Sequence, residues 1–367
     1  MFKRNKNKKV FVAMSGGVDS SVVAAILKSK GYQVFGITMC FDIPLESGSR
    51  PSCCGADAVQ DAKNVAQTLN IPHHVLSFGQ DLNDKVIKYF IDEYRKGRTP
   101  NPCVRCNQYI KFGTLLKKVR LLGGDYLATG HYAKIVHRSL RRRFELKKSV
   151  QGSKDQSYFL YQIKKEDLPF ILFPLGGLVK NQVRALAKKF GLRNAQKKES
   201  QDICFVTGGD YKDFLKKKAP EALGSPGLIK DEQGNVLGEH QGLGFYTIGQ
   251  RDGLGIALGH PVYIYKMEKE TNTIYVGPKE RLLSRGLLAK EVHFVSRDFP
   301  KKPIEVKVKI RYNQPEVRAR LIPLKEGKVD VCFHKSQASV TPGQSVVFYR
   351  SEVVLGGGII EKSFENF

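Results

Sequence analysis

The sequence has no apolar run that approaches the roughly 18 residues needed to span a membrane, and its basic start lacks the apolar stretch of a signal peptide. It contains seven cysteines, an odd number scattered through a chain of 367 residues. This cysteine usage fits a reducing compartment and does not support a disulfide framework. Internal repeats and low-complexity linkers are absent as well. We therefore expect a cytoplasmic protein with no membrane partner.

Acidic residues are also scarce. Lys and Arg together number 61 against 35 Asp and Glu, which gives a formal net charge of +26. Such an excess favours a polyanionic partner, and the alternative is a basic surface that serves solubility alone. With 41% hydrophobic residues, the chain is long and apolar enough for roughly two or three packed domains.

The first part of the chain alternates short apolar runs with segments of helical periodicity, and this pattern predicts an α/β domain with a doubly wound parallel sheet over residues 1–210. Glycine-punctuated short strands then indicate a small β-rich domain over residues 211–282. Alternation of apolar and polar residues predicts a C-terminal antiparallel β-barrel over residues 283–367.

Within the first domain, the expected strands are Val10–Met14, Gln33–Met39, His73–Phe78 and Asp125–Ala133, and the expected helices are Ala56–Leu69, Asp81–Arg95, Gln108–Leu122 and Leu178–Phe190. Two prolines predict an irregular loop over Gly97–Asn107, and Lys154 is expected to open an aromatic helix. The segment Lys134–Lys148 is predicted to be a basic hairpin that contacts phosphates, and a solvated face is the alternative.

A glycine loop joins the first strand to the first helix. Gly16 and Gly17 have no side chains, so backbone N–H groups can approach an anion closely at a helix N-terminus. Asp19 is suited either to a metal bound to the same phosphates or to capping the helix. The spacing is neither that of a P-loop nor that of a dinucleotide fingerprint. It resembles the pyrophosphate-binding loop of enzymes that split ATP into AMP and pyrophosphate. The alternative is an ordinary glycine-rich turn into a helix.

The cysteines allow three interpretations. Cys103 and Cys106 stand at Cys-x-x-Cys spacing before a basic helix, where the helix dipole, Arg105 and Lys111 favour a lowered thiol pKa. Zinc would need a better second ligand pair than Cys53 and Cys54 supply. An iron–sulfur cluster on Cys103, Cys106 and Cys204 is open, and so is sulfur transfer by two reactive thiols, Cys106 and Cys204. We expect Cys40 and Cys332 to be buried structural residues.

Taken together, these motifs resemble those of the tRNA-specific 2-thiouridylase family of the ATP-pyrophosphatase (PP-loop) superfamily, and the likeness runs over nearly the whole chain. The matching segments are Ala13–Ser20, Gly97–Asn107, Thr129–Ala133, Lys154–Gln156, Ser200–Phe205, Gly242–Gly244, Thr247–Gly255 and Ile310–Tyr312. One such segment is a weak signal, whereas the ordered set is specific.

The resemblance implies a first domain like that of adenine nucleotide α-hydrolases, in an enzyme that converts the wobble uridine of tRNA into 2-thiouridine. The C2 oxygen would be adenylated with ATP, and sulfur would come from a cysteine persulfide. Cys106 would be the nucleophile and Cys204 the persulfide carrier. Implied partners are the tRNA anticodon stem-loop and a persulfide sulfur-donor protein. No resident metal beyond the Mg²⁺ that accompanies ATP is implied.

The resemblance also assigns binding residues by position. ATP with Mg²⁺ would be held by Ala13, Met14, Ser15, Gly16, Gly17, Val18, Asp19, Ser20, Met39 and Gly130. The tRNA would be contacted by Asn101, Pro102, Cys103, Lys154, Asp155, Gln156, Arg311 and Tyr312. Two departures from the family pattern stand out. Some relatives carry Asp at the position of Cys103, which leaves the general base of that loop open, and Ala13 replaces a common Gly.

Two other classes of function share part of this pattern. Amidating synthetases carry the same loop, but they need an ammonia source and have no use for Cys106 and Cys204. A non-enzymatic RNA-binding function would explain the positive charge and the barrel, but it would not explain the pyrophosphate loop.

Overall fold

A computed structural model describes residues 7–42, 56–139, 143–197, 203–206, 210–256 and 258–364. The α-helices are α1 (Val18–Ser29), α2 (Ala56–Thr68), α3 (Gly79–Leu82), α4 (Lys88–Arg95), α5 (Pro102–Arg105), α6 (Leu116–Leu121), α7 (Lys180–Lys189) and α8 (Tyr211–Lys218). Two π-helical segments, Asn83–Ile87 and Cys106–Leu115, join α3 to α4 and α5 to α6.

The strands of the first domain are β1 (Lys9–Ala13), β2 (Gln33–Cys40), β3 (His73–Ser77), β4 (Tyr126–Ala128), β5 (Ala133–Arg138), β6 (Arg143–Lys148) and β7 (Ile171–Leu172). The remaining strands are β8 (Gly227–Lys230), β9 (Val236–His240), β10 (Tyr263–Glu268), β11 (Thr273–Gly277), β12 (Leu283–His293), β13 (Ile304–Lys309), β14 (Val317–Pro323), β15 (Val329–Ala338), β16 (Ser345–Arg350) and β17 (Val353–Phe364).

The first sheet is parallel and has the strand order β3-β2-β1-β4-β7. From β1 the chain winds outward through β2 and β3 and then returns to the other side of β1 to form β4. The carboxyl ends of β1 and β4 therefore flank a switch point, which is where open α/β sheets bind ligands.

Both faces of this sheet are covered. Along β1, Val10 and Val12 belong to one hydrophobic cluster with α1, α2 and α7, whereas Phe11 belongs to a second cluster with the helices between Leu82 and Val119. A strand that is buried on both faces reads as a continuous apolar run, as the sequence does here. The predicted doubly wound architecture is confirmed.

The helix that carries the first thiols begins earlier than predicted. The irregular loop expected over Gly97–Asn107 ends at Asn101, and helical backbone runs from Pro102 to Leu121. Proline is tolerated here because it occupies the first turn, where its missing N–H would have no intrahelical partner. The Asn101 side chain caps this turn by accepting a hydrogen bond from the Val104 N–H. Cys103 and Cys106 therefore lie on a helix.

Three other local predictions are wrong. The strand expected over Asp125–Ala133 ends at Ala128, because the chain turns at Gly130 to pass close to α1. The helix expected at Lys154 is replaced by two 3₁₀ turns, since the Asp155 carboxylate accepts the N–H groups of Ser149 and Ser157. The chain beyond 210 starts with helix α8, whose N-terminus the Asp210 side chain caps.

The central part of the chain forms a four-stranded sheet with the order β10-β11-β8-β9. The C-terminal strands form an antiparallel barrel with the order β12-β15-β14-β13-β16-β17, closed by pairing between β12 and β17. In β13 the apolar residues Val306 and Val308 point into the barrel core, while Glu305 and Lys307 are exposed. The predicted central β-rich domain and barrel are confirmed, and the exact boundaries at 210 and 282 stay predictions.

The predicted hairpin is present and joins the barrel. Strands β5 and β6 pair antiparallel, and β6 extends the barrel sheet through β17, with Lys147 opposite Val353. Arg141 and Arg142, at the hairpin tip, lie outside the described residues.

Among the described residues, no helix is both long and apolar enough to pass through a lipid bilayer.

Candidate functional site

The glycine loop between β1 and α1 is shaped by one backbone conformation that requires glycine. Gly16 has a φ of +69°, and a Cβ at this position would lie 2.3 Å from the carbonyl oxygen of Ala58. Any side chain would therefore collide with helix α2. Gly17 is the N-cap of α1 and supplies no side chain to the first turn. The helix N-terminus consequently faces the switch point with its positive dipole end, which suits an anion.

The loop hydroxyls hold the loop itself together. Ser20 Oγ and Ser21 Oγ both donate to the Gly17 carbonyl, at 3.2 and 2.9 Å, and the Ser15 N–H donates to Ser20 Oγ at 3.2 Å. Asn194 adds a brace from a distant part of the chain: its side-chain amide donates to the Gly16 carbonyl at 3.0 Å and to Ser21 Oγ at 2.9 Å. The backbone cradle is thus fixed before any ligand binds.

Asp19 does not cap its helix, which is one of the two roles that the sequence left open. Its carboxylate is instead held by two donors from elsewhere. Lys180 Nζ lies 2.8 and 2.9 Å from the two oxygens, and the Tyr132 hydroxyl donates to one of them at 2.9 Å. The Asp19 side chain keeps 29% of its surface exposed, against 10% for Lys180. A carboxylate is therefore presented at the mouth of the loop in one fixed orientation.

The two donors to Asp19 are positioned by the turn that contains the predicted tRNA contacts. The Lys180 N–H donates to Gln151 Oε1 at 2.7 Å. The Tyr132 N–H donates to Gln156 Oε1 at 3.0 Å, and the Gln156 N–H donates back to the Tyr132 carbonyl at 2.9 Å. The turn from Gln151 to Gln156 is therefore connected to the glycine loop through hydrogen bonds.

Sequence reasoning missed Lys180, Tyr132 and Asn194. Tyr132 could have been predicted, because it lies in the Thr129–Ala133 motif. Lys180 and Asn194 carry no local signal, since each acts on the loop across more than 150 residues.

The other predicted nucleotide residues gather at the same edge of the sheet. Gly130 follows β4, and a Cβ there would lie 3.0 Å from the Ser20 nitrogen, so glycine allows the close approach to α1. Met39 is half-buried near the carboxyl end of β2. Met14 is buried below the loop, and its carbonyl accepts a hydrogen bond from Thr38 Oγ1 at 2.9 Å. These predicted positions thus lie at the carboxyl edge of the parallel sheet.

His131 directly follows Gly130 and is half-buried. Its Nδ1 is 2.7 Å from Thr129 Oγ1. Burial, together with the positive charge of Lys111, lowers the pKa of His131 well below its usual value. The imidazole is therefore neutral at physiological pH.

The helix that carries Cys103 and Cys106 packs on the face of the sheet opposite to α1. Cys103 is exposed, whereas Cys106, one turn further along, is buried. Cys204 is half-buried and packs against the same hydrophobic cluster that contains Cys106. The segment that carries Cys204 is anchored by the neighbouring Phe205, whose ring meets those of Phe90 and Phe214 at 5.3 Å. Two thiols that are about a hundred residues apart in sequence thus contact one hydrophobic cluster.

The loop before these thiols is held at the junction of the three structural units. The Thr99 N–H donates to the Pro342 carbonyl of the barrel at 3.0 Å, and Thr99 Oγ1 is 3.1 Å from Thr247 Oγ1 of the central unit. Gln344 Nε2 donates to the Thr99 carbonyl at 2.9 Å. A Cβ at Gly343 would lie 2.9 Å from that carbonyl oxygen, so the barrel turn needs glycine. The position of the thiol helix therefore depends on all three units.

Arg105 was predicted to lower the pKa of a neighbouring thiol, but its guanidinium interacts with other groups. Its guanidinium donates to Glu291 Oε2 at 2.7 Å and to Gln108 Oε1 at 3.0 Å, and it lies 4.4 Å from the centre of the Tyr89 ring. Arg105 therefore links the thiol helix to β12 of the barrel.

The predicted tRNA contacts differ in exposure. Pro102 is buried, and the Asp155 carboxylate is buried among Ser149 and Ser157, with a pKa that burial raises. Lys154 and Gln156 are half-buried. Arg311 donates to the Ile248 carbonyl at 3.0 Å, and burial lowers its pKa. The Tyr312 ring lies 4.6 Å from that of Phe159, so the two predicted groups adjoin each other.

Metal ligation is not favoured by the arrangement of the thiols. In the described part of the chain, which includes Cys103, Cys106 and Cys204, no group of three or more His, Cys, Asp or Glu side chains is placed to hold a metal ion. Cys40 and Cys332 were expected to be buried and are only half-buried; Cys40 Sγ donates to Asp42 Oδ1 at 3.3 Å. Cys53, Cys54 and Ser200–Asp202 lie outside the described residues.

The fold and the loop together define the class: an ATP-binding α/β enzyme of the PP-loop type. Three family models match consecutive parts of the chain. Residues 8–208 match the tRNA methyl transferase HUP domain, residues 212–278 the tRNA methyl transferase PRC-barrel domain, and residues 284–360 the aminomethyltransferase beta-barrel domain.

Curated relatives resolve the family. A protein of Acetivibrio thermocellus named tRNA-specific 2-thiouridylase MnmA is 48% identical over 357 residues, which are 96% of this chain and 99% of that protein. A protein of the same name from Halothermothrix orenii is 48% identical over 361 residues, 97% of this chain and 99% of that protein. The chain therefore belongs to the tRNA-specific 2-thiouridylase family, and the predicted family is confirmed. A solved structure of a predicted tRNA methyltransferase subunit from Methanocaldococcus jannaschii aligns over 59% of this chain and 91% of that chain, with 20% identity and a TM-score of 0.32.

Proposed function

We propose that this protein is a tRNA-uridine 2-sulfurtransferase, which replaces the C2 oxygen of the wobble uridine of tRNA with sulfur while ATP is split into AMP and pyrophosphate. The observation that carries the proposal is the 48% identity to named 2-thiouridylases over nearly the full chain. The pyrophosphate loop and the two thiols of one core cluster supply a physical basis for both halves of the reaction.

The first half-reaction is adenylation. The C2 oxygen of uridine attacks the α-phosphorus of ATP, the new oxygen–phosphorus bond forms, and the bond to pyrophosphate breaks. The backbone of Gly16 and Gly17 and the N-terminus of α1 hold the pyrophosphate portion, and Met39 lies against the adenine. Adenylation is needed because a pyrimidine C2 oxygen is a poor leaving group, whereas AMP is a good one.

Asp19 is the residue suited to a magnesium ion in this loop, because a fixed carboxylate is the type of ligand that Mg²⁺ prefers. When bound, the ion would supply charge neutralisation on the phosphates. Lys180 and Tyr132 orient the carboxylate for this task.

The second half-reaction moves the sulfur. A sulfur-donor protein loads Cys204 as a persulfide, and the terminal sulfur attacks C2 of the adenylated uridine, so that a carbon–sulfur bond forms and AMP leaves. The Cys106 thiolate then attacks the Cys204 sulfur, which releases 2-thiouridine and leaves a Cys106–Cys204 disulfide. A dithiol reductant restores both thiols for the next turnover.

The anticodon stem-loop is bound through Asn101 to Cys103, Lys154 to Gln156, and Arg311 with Tyr312. An unstacked base can be taken from a loop into a pocket more cheaply than from a duplex, which suits a wobble base. The Asn101 and Asp155 side chains act through the backbone that they hold, since both are engaged in local hydrogen bonds. Reduced thiols and a tRNA substrate support a reaction in the cytoplasm.

The deciding experiment is mass spectrometry of nucleosides after the protein is incubated with tRNA, ATP and a persulfide donor. The expected product is a uridine in which one oxygen is exchanged for sulfur, formed together with AMP. Transfer of nitrogen to a small acceptor would instead identify an amidating synthetase. RNA binding without any AMP formation would show that the protein binds RNA but is not an enzyme of this type.

A further inference from the structure

A large cleft lies between the β5–β6 hairpin and one side of the barrel, away from the glycine loop and the thiols. Its volume is about 1140 Å³. The barrel contributes residues 297–301, 350–353 and 355, and the hairpin contributes His137, Arg138, Ser139, Arg143, Glu145 and Lys147. None of the predicted nucleotide, thiol or tRNA residues lines it.

The cleft is lined mainly by cations. Its basic side chains are Arg138, Arg143, Lys147, Arg297, Lys301 and Arg350, against three acids, Glu145, Asp298 and Glu352. Two of the acids are already engaged: Glu145 pairs with Arg138 at 3.1 Å and with Arg143 at 2.8 Å, and Asp298 pairs with Lys165 outside the cleft. Six cations against three acids leave the cleft with a formal excess of three positive charges.

Arg143, Arg297 and Arg350 line the cleft together. Among the described residues, Arg297 donates only to a backbone carbonyl, that of Asp298, at 3.3 Å. Burial lowers the pKa of Arg297, and repulsion by the neighbouring Arg350 and Arg143 lowers it further. The Arg143 Nε atom is buried and has no hydrogen-bond partner among the described residues. Like charges kept together with unused donors are the arrangement expected for a site that binds an anion from outside the chain.

The cleft faces away from the predicted contacts for the anticodon. Successive residues of a strand point to opposite faces of the sheet. Lys148 contacts Glu316 at 2.8 Å and so points to the face on which Glu316 lies. Lys309 is near the same group, because the charges of Lys148, Glu316 and Asp155 all act on it. Lys309 also lies 5.4 Å from the ring of Tyr312, a predicted tRNA contact. Lys147, the preceding residue, points into the cleft. One hairpin thus separates two basic surfaces.

We propose that the cleft binds the phosphodiester backbone of a second segment of the tRNA, outside the anticodon stem-loop. The occupant is RNA because the proposed substrate is a polyanion, so this inference rests on the proposed function. Arginine forks match phosphate oxygens, and Phe299, which is 37% exposed at the cleft, offers an apolar ring to a ribose or base.

The test compares the double substitution Arg297→Gln and Arg350→Gln with a control, Arg318→Gln and Arg320→Gln. The control removes the same charge from exposed positions of β14 that do not line the cleft. Binding of full-length tRNA and of the isolated anticodon stem-loop is measured over a salt series. For full-length tRNA, the cleft variant should bind on the order of tenfold more weakly at moderate salt, and its log–log salt slope should be shallower by roughly one to two. Binding of the stem-loop should be unchanged.

Each other outcome overturns the proposal. Unchanged binding of full-length tRNA would remove the cleft from RNA recognition. Equal weakening for tRNA and stem-loop would place the cleft on the anticodon arm. Normal tRNA affinity combined with slower persulfide loading by the donor protein would assign the cleft to a protein partner. Because binding is measured without thiolation, a failure of the proposed enzymatic function would be recognised separately, by the absence of 2-thiouridine from wild-type reactions.

Discussion

Lys180 Nζ lies 2.8 and 2.9 Å from the two carboxylate oxygens of Asp19, across 161 residues of sequence. The pair joins the first residue of α7 to the first turn of α1, and both helices cover the same face of the parallel sheet. Tyr132 completes the arrangement from the loop after β4. The acid of the glycine loop is therefore held by residues that are themselves hydrogen-bonded to the turn from Gln151 to Gln156.

Removal of the loop carboxylate should abolish adenylation without affecting RNA binding. In Asp19→Ala, the phosphates lose the residue suited to their metal ion, while the basic surfaces that bind tRNA are untouched. AMP formation is expected to fall by at least on the order of a hundredfold, and tRNA affinity should stay within about twofold. The measurements are AMP release and tRNA binding at fixed salt. Near-normal AMP formation would show that this loop does not hold the triphosphate.

Loss of a donor to Asp19 should have a smaller effect. In Tyr132→Phe the carboxylate keeps its contacts with Lys180, so we expect a loss of about 1 kcal/mol in stability and a several-fold loss in AMP formation. Lys180→Met should reduce AMP formation by at least about tenfold. Lys188→Met is the matched control, because Lys188 lies on the exposed side of the same helix. If both lysine variants behave alike, the contact with Asp19 has no part in catalysis.

Sequence patterns predicted the structure correctly where it depends only on residues that are close together in the sequence. The apolar run of β1 and the two glycines after it locate the nucleotide edge of the sheet, because periodicity and backbone freedom are local properties. The same patterns misplaced the start of the thiol helix, since a proline was taken as a breaker although it occupies the first turn.

Other features could not be predicted because they depend on tertiary contacts. Asn194 and Lys180 reach the glycine loop through the chain fold alone, and the Thr99 contacts with the barrel join parts of the chain that no local pattern relates. The separate roles predicted for Cys106 and Cys204 came from the family resemblance and not from their spacing.

Stability should fall as the solution becomes more acidic than about pH 6.5. Burial is the largest cause of the lowered pKa of four histidines: His73, His131, His240 and His293. Below the pKa of the unfolded state, the unfolded chain binds protons that the folded chain excludes, so the free energy of unfolding decreases as pH falls. Each such group can contribute up to about 1.4 kcal/mol per pH unit.

Denaturant midpoints measured between pH 7.5 and 5.5 test this expectation. His131→Asn should make the dependence on pH shallower, because the pKa of His131 is lowered further below its usual value than those of the other three. His260→Asn, at an exposed position, should leave the dependence unchanged. A pH dependence that is identical in wild type and His131→Asn would contradict the neutral, buried imidazole.

The two thiols should fail at different steps when they are substituted. Cys204→Ser removes the persulfide carrier, so adenylated tRNA should accumulate and no 2-thiouridine should form. Cys106→Ser should still load a persulfide on Cys204, but release should stop, because no second thiolate can attack the disulfide-level sulfur. Cys103→Ala is the control on the same helix, because its exposed thiol takes no part in the sulfur transfer itself. Peptide mapping of the wild type after turnover without reductant should reveal a Cys106–Cys204 disulfide.

If an iron–sulfur cluster carried the reaction instead, anaerobically purified protein would show cluster absorption, and substitution of any of the three cysteines would remove it. Activity that survives in Cys204→Ser would refute the persulfide relay, because the sulfur would then reach C2 by another route.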